Sequence, residues 1–359
     1  MKIYNFSAGP AVLPETVLQA VKDAAVDYLG SGMSVMEMSH RSKPIVDLFE
    51  TASSRVKDLL DIPSNYHILW LQGGASLQFS MVPFNLLSEY GSADYIDTGS
   101  WSFKAAAECN KLGIGKIIAS SRDSNYTFIP KEYAQNLDSS YLHITSNNTI
   151  YGTQYNIFPE VKSDGEILVA DMSSDILSRR IDVSQFGVIY AGAQKNIGPA
   201  GLTMVIIKKD LMELENENLP NILRYSKHSE SDSMLNTPPT FAWYMAGKVF
   251  KWIKQSGGLE FFKEQNHLKA STLYNYIDNS EFYSNPVKIE NRSIMNVPFI
   301  LADNDLDSVF LKESEDNGLL NLKGHRSVGG MRASIYNAMP LEGINELVDF
   351  MKVFEAKYG

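Results

Sequence analysis

Cysteine is almost missing from this chain: Cys109 is the only one in 359 residues. Intrachain disulfides are therefore impossible, and no thiolate set exists for a structural zinc, so no metal site is expected. Long apolar runs are missing too. None approaches the roughly 20 residues that a membrane-spanning helix needs, and the opening Met1–Pro10 has no apolar signal core, so a cytoplasmic protein is expected. Positive charge is in deficit, with 32 Lys and Arg against 42 Asp and Glu and a net charge of −10. That balance argues against nucleic acid or an anionic membrane as partner, while leaving room for a local cationic pocket. Familiar motifs are also absent. Gly113-Ile114-Gly115-Lys116 lacks the upstream glycine of a P-loop, no G-x-G-x-x-G opens a helix after a strand, and there is no H-E-x-x-H. Kinase, nicotinamide-enzyme and zinc-hydrolase readings lose their support.

What is present is the composition of an ordinary soluble protein, 44% hydrophobic and 21% charged. The length suits one large and one smaller domain. An extended arm precedes Pro14-Glu15, which open a helix, and Ile45, Leu48, Phe49, Ala52, Val56, Leu59 and Leu60 mark one face of a second helix. Short apolar strands then alternate with helices: His67–Leu71, Asp94–Asp97, Lys116–Ala119, Tyr141–Thr145, Glu166–Asp171, Gly187–Ala191 and Leu202–Ile207. This alternation predicts an α/β fold with a mostly parallel sheet covered on both faces. Helices over Phe241–Lys254 and Leu259–Ile277 flank Ser256-Gly257-Gly258. We place the boundary there, with a large domain at 16–257 and a small α+β domain at 258–359 that includes the arm 1–15.

One lysine stands out. Lys195 follows the apolar run Gly187–Ala191 inside Ala191-Gly192-Ala193-Gln194-Lys195-Asn196-Ile197-Gly198-Pro199-Ala200-Gly201, where a strand ends and a Gly/Pro loop begins. Open α/β sheets bind ligands at such strand ends, and a lysine in a partly dry site has a lowered pKa and forms Schiff bases. A plain loop lysine is the alternative. Asp171 closes the run Ile167–Ala170, either as a ligand-site acid at the strand end or as an N-cap or turn aspartate. Gly73-Gly74-Ala75-Ser76 leads a strand into a helix, either as a phosphate cradle or as a tight turn. Trp101, after Thr98-Gly99-Ser100, offers a stacking face or a core residue. Together the four match one ligand. Pyridoxal 5′-phosphate needs a lysine for its aldehyde, an acid for its ring nitrogen, an aromatic face and a phosphate cradle.

A second constellation is basic. No acidic residue lies between Asp316 and Glu342, whereas Lys323, His325, Arg326 and Arg332 all fall inside that interval. In an acidic chain such a window suggests an anion site, with Arg332 able to grip a carboxylate bidentately. His40-Arg41 is a further candidate pair, or an exposed loop.

The tracts Asn5–Pro10, Ser39-His40-Arg41, Gln72–Phe79, Ala170–Ser174, Tyr190–Gly201, Gly324-His325-Arg326 and Gly329–Ser334 carry a resemblance across essentially the whole chain. The sequence resembles the phosphoserine aminotransferase family, among the class-V, fold-type I pyridoxal-phosphate enzymes with an aspartate aminotransferase-like fold. The resemblance implies a homodimer with shared active sites. It implies Lys195 as the Schiff-base lysine, Asp171 at the ring nitrogen, Trp101 on the ring and Thr149 beside its hydroxyl. Ala75, Ser76 and Gln194 would hold the cofactor phosphate, with Asn236 and Thr237 reaching in from the other subunit. His40, Arg41, His325, Arg326 and Arg332 would hold the two anionic ends of the substrate. Some members carry a substrate-binding arginine where this chain has Ser76, so that charge is missing here. The implied reaction is a ping-pong transfer between L-glutamate and 3-phosphohydroxypyruvate, giving phosphoserine for serine synthesis, with 4-phosphohydroxythreonine formation in vitamin B6 synthesis as a second use. Rival readings are a related enzyme acting on alanine, serine or glyoxylate, and a catalytically silent binding protein. A cysteine desulfurase would need a reactive loop cysteine, and Cys109 sits in a helical pattern.

Overall fold

Alternate side chains of each central strand face opposite layers, and this sets the architecture. Val188 and Tyr190 pack with Val169, Tyr141 and Tyr95 on one face, against Phe79, Val82 and Ala105. Ile189 and Ala191 pack with Leu168, Ala170 and Leu142 on the other, against Phe49, Val56, Trp243 and Phe250. Strands buried on both faces read as continuous apolar runs, which made them visible in the sequence. The computed structural model describes residues 2–87, 91–112, 115–134, 136, 138–161, 167–214 and 216–359.

The central sheet has seven strands in the spatial order Tyr66–Leu71, Thr203–Lys208, Val188–Gly192, Ile167–Asp171, Ser139–Thr145, Ser92–Asp97 and Gly115–Ser120. All its pairings are parallel except those of Thr203–Lys208, which runs against both neighbours. The expected strand start at Glu166 lies outside the described residues. Helices Gly74–Leu86 and Ser100–Asn110 cover one face, and Lys43–Leu59 and Thr240–Gln255 the other. Phe49 and Trp243 stack there with ring centroids 3.7 Å apart. A short helix, Tyr225–Glu230, lies between the last strand of this sheet and the helix Thr240–Gln255.

A separate core gathers Val297, Phe299, Phe310, Met331, Ile335, Leu347 and Phe354. Its antiparallel sheet pairs Asn296–Leu301 with Met331–Ser334 and with Tyr283–Ser284. Helices Asp307–Asp316 and Leu341–Tyr358 pack on it. The helix Gly258–Asn279 serves both cores, giving Leu259 and Phe262 to the first and Ala270, Leu273 and Ile277 to the second. The arm joins the second core through Tyr4 and Phe6, and Tyr4–Asn5 pairs in parallel with Leu319–Leu320. Among the described residues no helix is long and apolar enough to cross a membrane.

Candidate active site

Three neighbouring parallel strands come to the same edge: Thr145 and Asp171, each the last residue of its strand, pair with one another, and Asp171 pairs with Tyr190, two residues before the third strand ends. Asp171 therefore sits at the carboxyl edge of the sheet. Lys195 lies just past the end of the strand beside it. Both line a cavity of about 330 Å³.

Asp171 is buried, and its Oδ1 accepts the Ser173 backbone N–H at 2.9 Å and the Ser173 hydroxyl at 2.6 Å. Burial pushes its carboxyl pKa up, while the charge of Lys195 and the Ser173 bonds pull it back. Lys195 is half-buried, and its Nζ makes no hydrogen bond or ion pair among the described residues. Burial lowers the pKa of its amine, opposed by the charges of Asp171 and Asp175. A lowered amine pKa is the condition under which a lysine can serve as a nucleophile.

The cradle follows from Gly73 and Gly74, which enter the helix Gly74–Leu86 at φ +86° and +67°. A Cβ on Gly73 would stand 2.6 Å from the Leu77 side chain, so only glycine fits. No side chain caps this helix, and Gly74, Ala75 and Ser76 line the cavity. Uncapped first-turn amides and the helix dipole suit a phosphate there.

Trp101 lies in the first turn of the helix Ser100–Asn110. Ser102 Oγ accepts the N–H groups of Thr98 and Gly99 at 2.9 and 3.0 Å, which fixes that turn. The indole Nε1 donates to Thr149 Oγ1 at 3.0 Å, and Arg332 Nη1 donates to Thr149 O at 2.9 Å. Arg332 Nε and Thr145 Oγ1 are buried polar atoms with no partner among the described residues, and both residues line the cavity. Such orphans mark a wall built for a polar ligand. His325 closes the rim, its Nδ1 2.7 Å from Ser327 Oγ. Burial first, and then the charges of Arg332, Arg326 and Lys104, hold its imidazole below the usual range.

The structure thus gathers Lys195, Asp171, Trp101, Ala75, Ser76, Thr149, Gln194, His325 and Arg332 around one space. It does not bring His40, Arg41, Arg326, Asn236 or Thr237 to that wall within one chain. His40 is half-buried, and the other four are exposed. The Thr237 carbonyl accepts from Gln72 Nε2 at 3.2 Å. Sequence reasoning missed Ser173, Thr145, Asn147 and Phe79, and also Ala8 and Gly9 of the arm, which reach the cavity. The backbone N–H of Ala11 donates to the Gln194 carbonyl at 2.9 Å and pins the arm there. The spacing Asp171-x-Ser173 carried the one available signal, since a serine two residues on can bond back to a carboxylate.

The family model for aminotransferase class-V matches residues 3–347. The chain belongs to that family. It is 52% identical to a phosphoserine aminotransferase from Acinetobacter baylyi, covering 100% of both chains. A solved phosphoserine aminotransferase from Bacillus circulans subsp. alkalophilus superposes with a TM-score of 0.97 at 48% identity, over 100% of this chain and 99% of that one. A PLP-bound phosphoserine aminotransferase from Trichomonas vaginalis gives 0.92 at 40% identity, over 98% and 100%. The class-V fold places these strand ends and the uncapped helix around one cavity, as pyridoxal-phosphate chemistry requires.

Proposed function

We propose that this chain is a pyridoxal-phosphate-dependent phosphoserine aminotransferase. It transfers an amino group reversibly between L-glutamate and 3-phosphohydroxypyruvate, releasing 2-oxoglutarate and O-phospho-L-serine. The observation that carries the reading is the unpaired Lys195 amine sharing a cavity with buried Asp171 and an uncapped helix N-terminus. Full-length similarity to enzymes of that name supports it.

Bound there, pyridoxal phosphate supplies an electron sink that stabilises negative charge on the α-carbon of an amino acid. The chain does the rest. Lys195 would hold the cofactor through its aldehyde, and its amine would move the proton at the substrate α-carbon. Asp171 keeps a proton on the ring nitrogen, because an ionised carboxylate held by Ser173 favours a cationic neighbour. The amides at Gly74–Ser76, with Gln194, hold the phosphate. Trp101 presents its flat face, oriented by the bond to Thr149. Arg332 receives the carboxylate and His325 the distal anion. The protein works as a cytoplasmic homodimer, in which Asn236 and Thr237 complete the neighbouring cofactor site and His40, Arg41 and Arg326 complete the anion clamp. The same clamp suits 4-phosphohydroxythreonine as product of a second reaction.

The test compares phosphoserine, serine and alanine as amino donors to 2-oxoglutarate. Phosphoserine should lead clearly, and equal rates with serine would remove the phosphate-specific reading in favour of an alanine-, serine- or glyoxylate-type enzyme. Borohydride treatment should fix the cofactor on a single peptide containing Lys195. Lys195→Ala should lose both that attachment and multiple turnover.

A further inference from the structure

A larger cavity, of about 720 Å³, lies beside the site, and Ser100 and Lys104 of the Trp101-bearing helix line it. Phe103 from that helix and Ile300 and Val328 from the second core's side supply apolar walls. Ser327, hydrogen-bonded to His325, stands on the same wall. Trp101 lines the small cavity while Lys104 lines the large one, with the Lys104 Nζ 4.5 Å from the Trp101 ring centroid. The two spaces therefore meet at this pair of side chains.

The charges in the larger cavity are of one sign. Its cations are Lys104 and Arg122, and no acidic side chain among the described residues lines it. Arg122 is largely spoken for: it lies 3.6 Å from the Asp97 carboxylate, donates to Tyr126 at 2.8 Å, and stacks 3.7 Å from the Phe103 ring centroid. No carboxylate pairs with Lys104 among the described residues, so Lys104 carries the net field. Single-sign charge between low-dielectric walls focuses field lines and concentrates counter-ions.

We propose that this cleft is an electrostatic funnel that draws the phosphate-ester substrate towards Trp101 and His325, with Lys104 as its guiding cation. The proposal rests on the phosphoserine reading for the identity of the ligand, and on the cavity alone for its sign of charge. Dianionic phosphoserine gains more from the funnel than monoanionic glutamate, because steering scales with ligand charge. The gain fades with salt, since the screening length falls from about 10 Å at 0.1 M to about 3 Å at 1 M.

The test measures kcat/KM for phosphoserine and for glutamate with the holoenzyme, K104Q and K104E, at low and at high KCl. At low salt K104E should lower kcat/KM for phosphoserine roughly tenfold and K104Q by less, with a smaller loss for glutamate, and the gap should close at high salt. A loss that ignores salt, or one equal for both substrates, overturns the funnel. If the wild-type enzyme does not accept phosphoserine, the functional reading fails on its own. Calorimetric binding of inorganic phosphate to wild type and K104E at two salt concentrations then decides the funnel: weaker, salt-sensitive binding in K104E supports it, and equal affinity overturns it.

Discussion

Asp171 takes both of its short-range hydrogen bonds from a single residue, Ser173, whose backbone and hydroxyl converge on one carboxylate oxygen at 2.9 and 2.6 Å. The same hydroxyl oxygen accepts the Gly192 N–H at 3.0 Å, tying the carboxylate to the strand that leads into Lys195. Hydrogen bonds to a charged group contribute about 1.5–3 kcal/mol. In Ser173→Ala the ionised form of Asp171 should lose that support, and its already raised pKa should rise further. Affinity for pyridoxal phosphate should fall by roughly ten- to a hundredfold. Fluorescence titration of the apoprotein with cofactor measures this, and unchanged affinity would falsify the link between Ser173 and the cofactor.

Arg332 offers a different handle. One arm of its guanidinium is committed to Thr149 O, while Nε is buried with no partner among the described residues. A carboxylate docked there satisfies that donor and repays a desolvation cost that already lowers the arginine pKa. Lysine keeps the charge but not the planar fork. Arg332→Lys should therefore cut kcat/KM about a hundredfold for glutamate and phosphoserine alike, because both bring an α-carboxylate. Steady-state kinetics with the two donors check it, and a loss confined to phosphoserine would assign Arg332 to the phosphate instead.

Lys269 is buried, and its Nζ donates to the carbonyls of Ile335, Tyr336 and Met339 at 2.9, 2.7 and 3.1 Å. This clamps the turn after the strand that carries Arg332. Burial pushes its pKa down to about 7 from 10.5. Between those values the unfolded chain binds the proton that the folded one has released, so stability should rise with pH from about 7 towards 10. Lys269→Met should lower the melting temperature and remove that component of the pH slope. Thermal melts of wild type and variant across this range test it, and parallel pH profiles would sink the assignment.

The sequence made the central sheet and half of the site legible for a physical reason. Ile167–Ala170 and Gly187–Ala191 are apolar runs because both faces of these strands are covered, so Asp171 and Lys195 stood out as the first charged residues at the strand ends. Gly73-Gly74 was equally visible, since a left-handed double glycine ahead of an uncapped helix leaves a signature. Contacts made across long separations left none. Nothing in the spacing announced that Arg332 would bond Thr149, or that Lys104 would cover Trp101. Asn236 and Thr237 came from resemblance alone, whereas Arg326 stood in the acid-free window and His40-Arg41 as a candidate pair; a single chain carries none of the five to the cavity. The reversed strand Thr203–Lys208 was hidden too, because strand direction follows from connection geometry and not from apolar content.

The docking of the arm sets an order of events in protein synthesis. Tyr4 and Phe6 donate their backbone N–H groups to Gly318 and Leu320, and Ser334 donates back to Phe6. Tyr4 and Phe6 therefore wait without these partners until residues 318 to 334 have been made. Ala8 and Gly9 then lie beside Lys195 on an arm held at both ends, by these bonds and by the Ala11 bond to Gln194. A nascent chain halted between residues 256 and 317 holds every strand and covering helix of the central sheet, yet neither the arm's partners nor His325 and Arg332, so the wall around Lys195 is finished only when those residues are made.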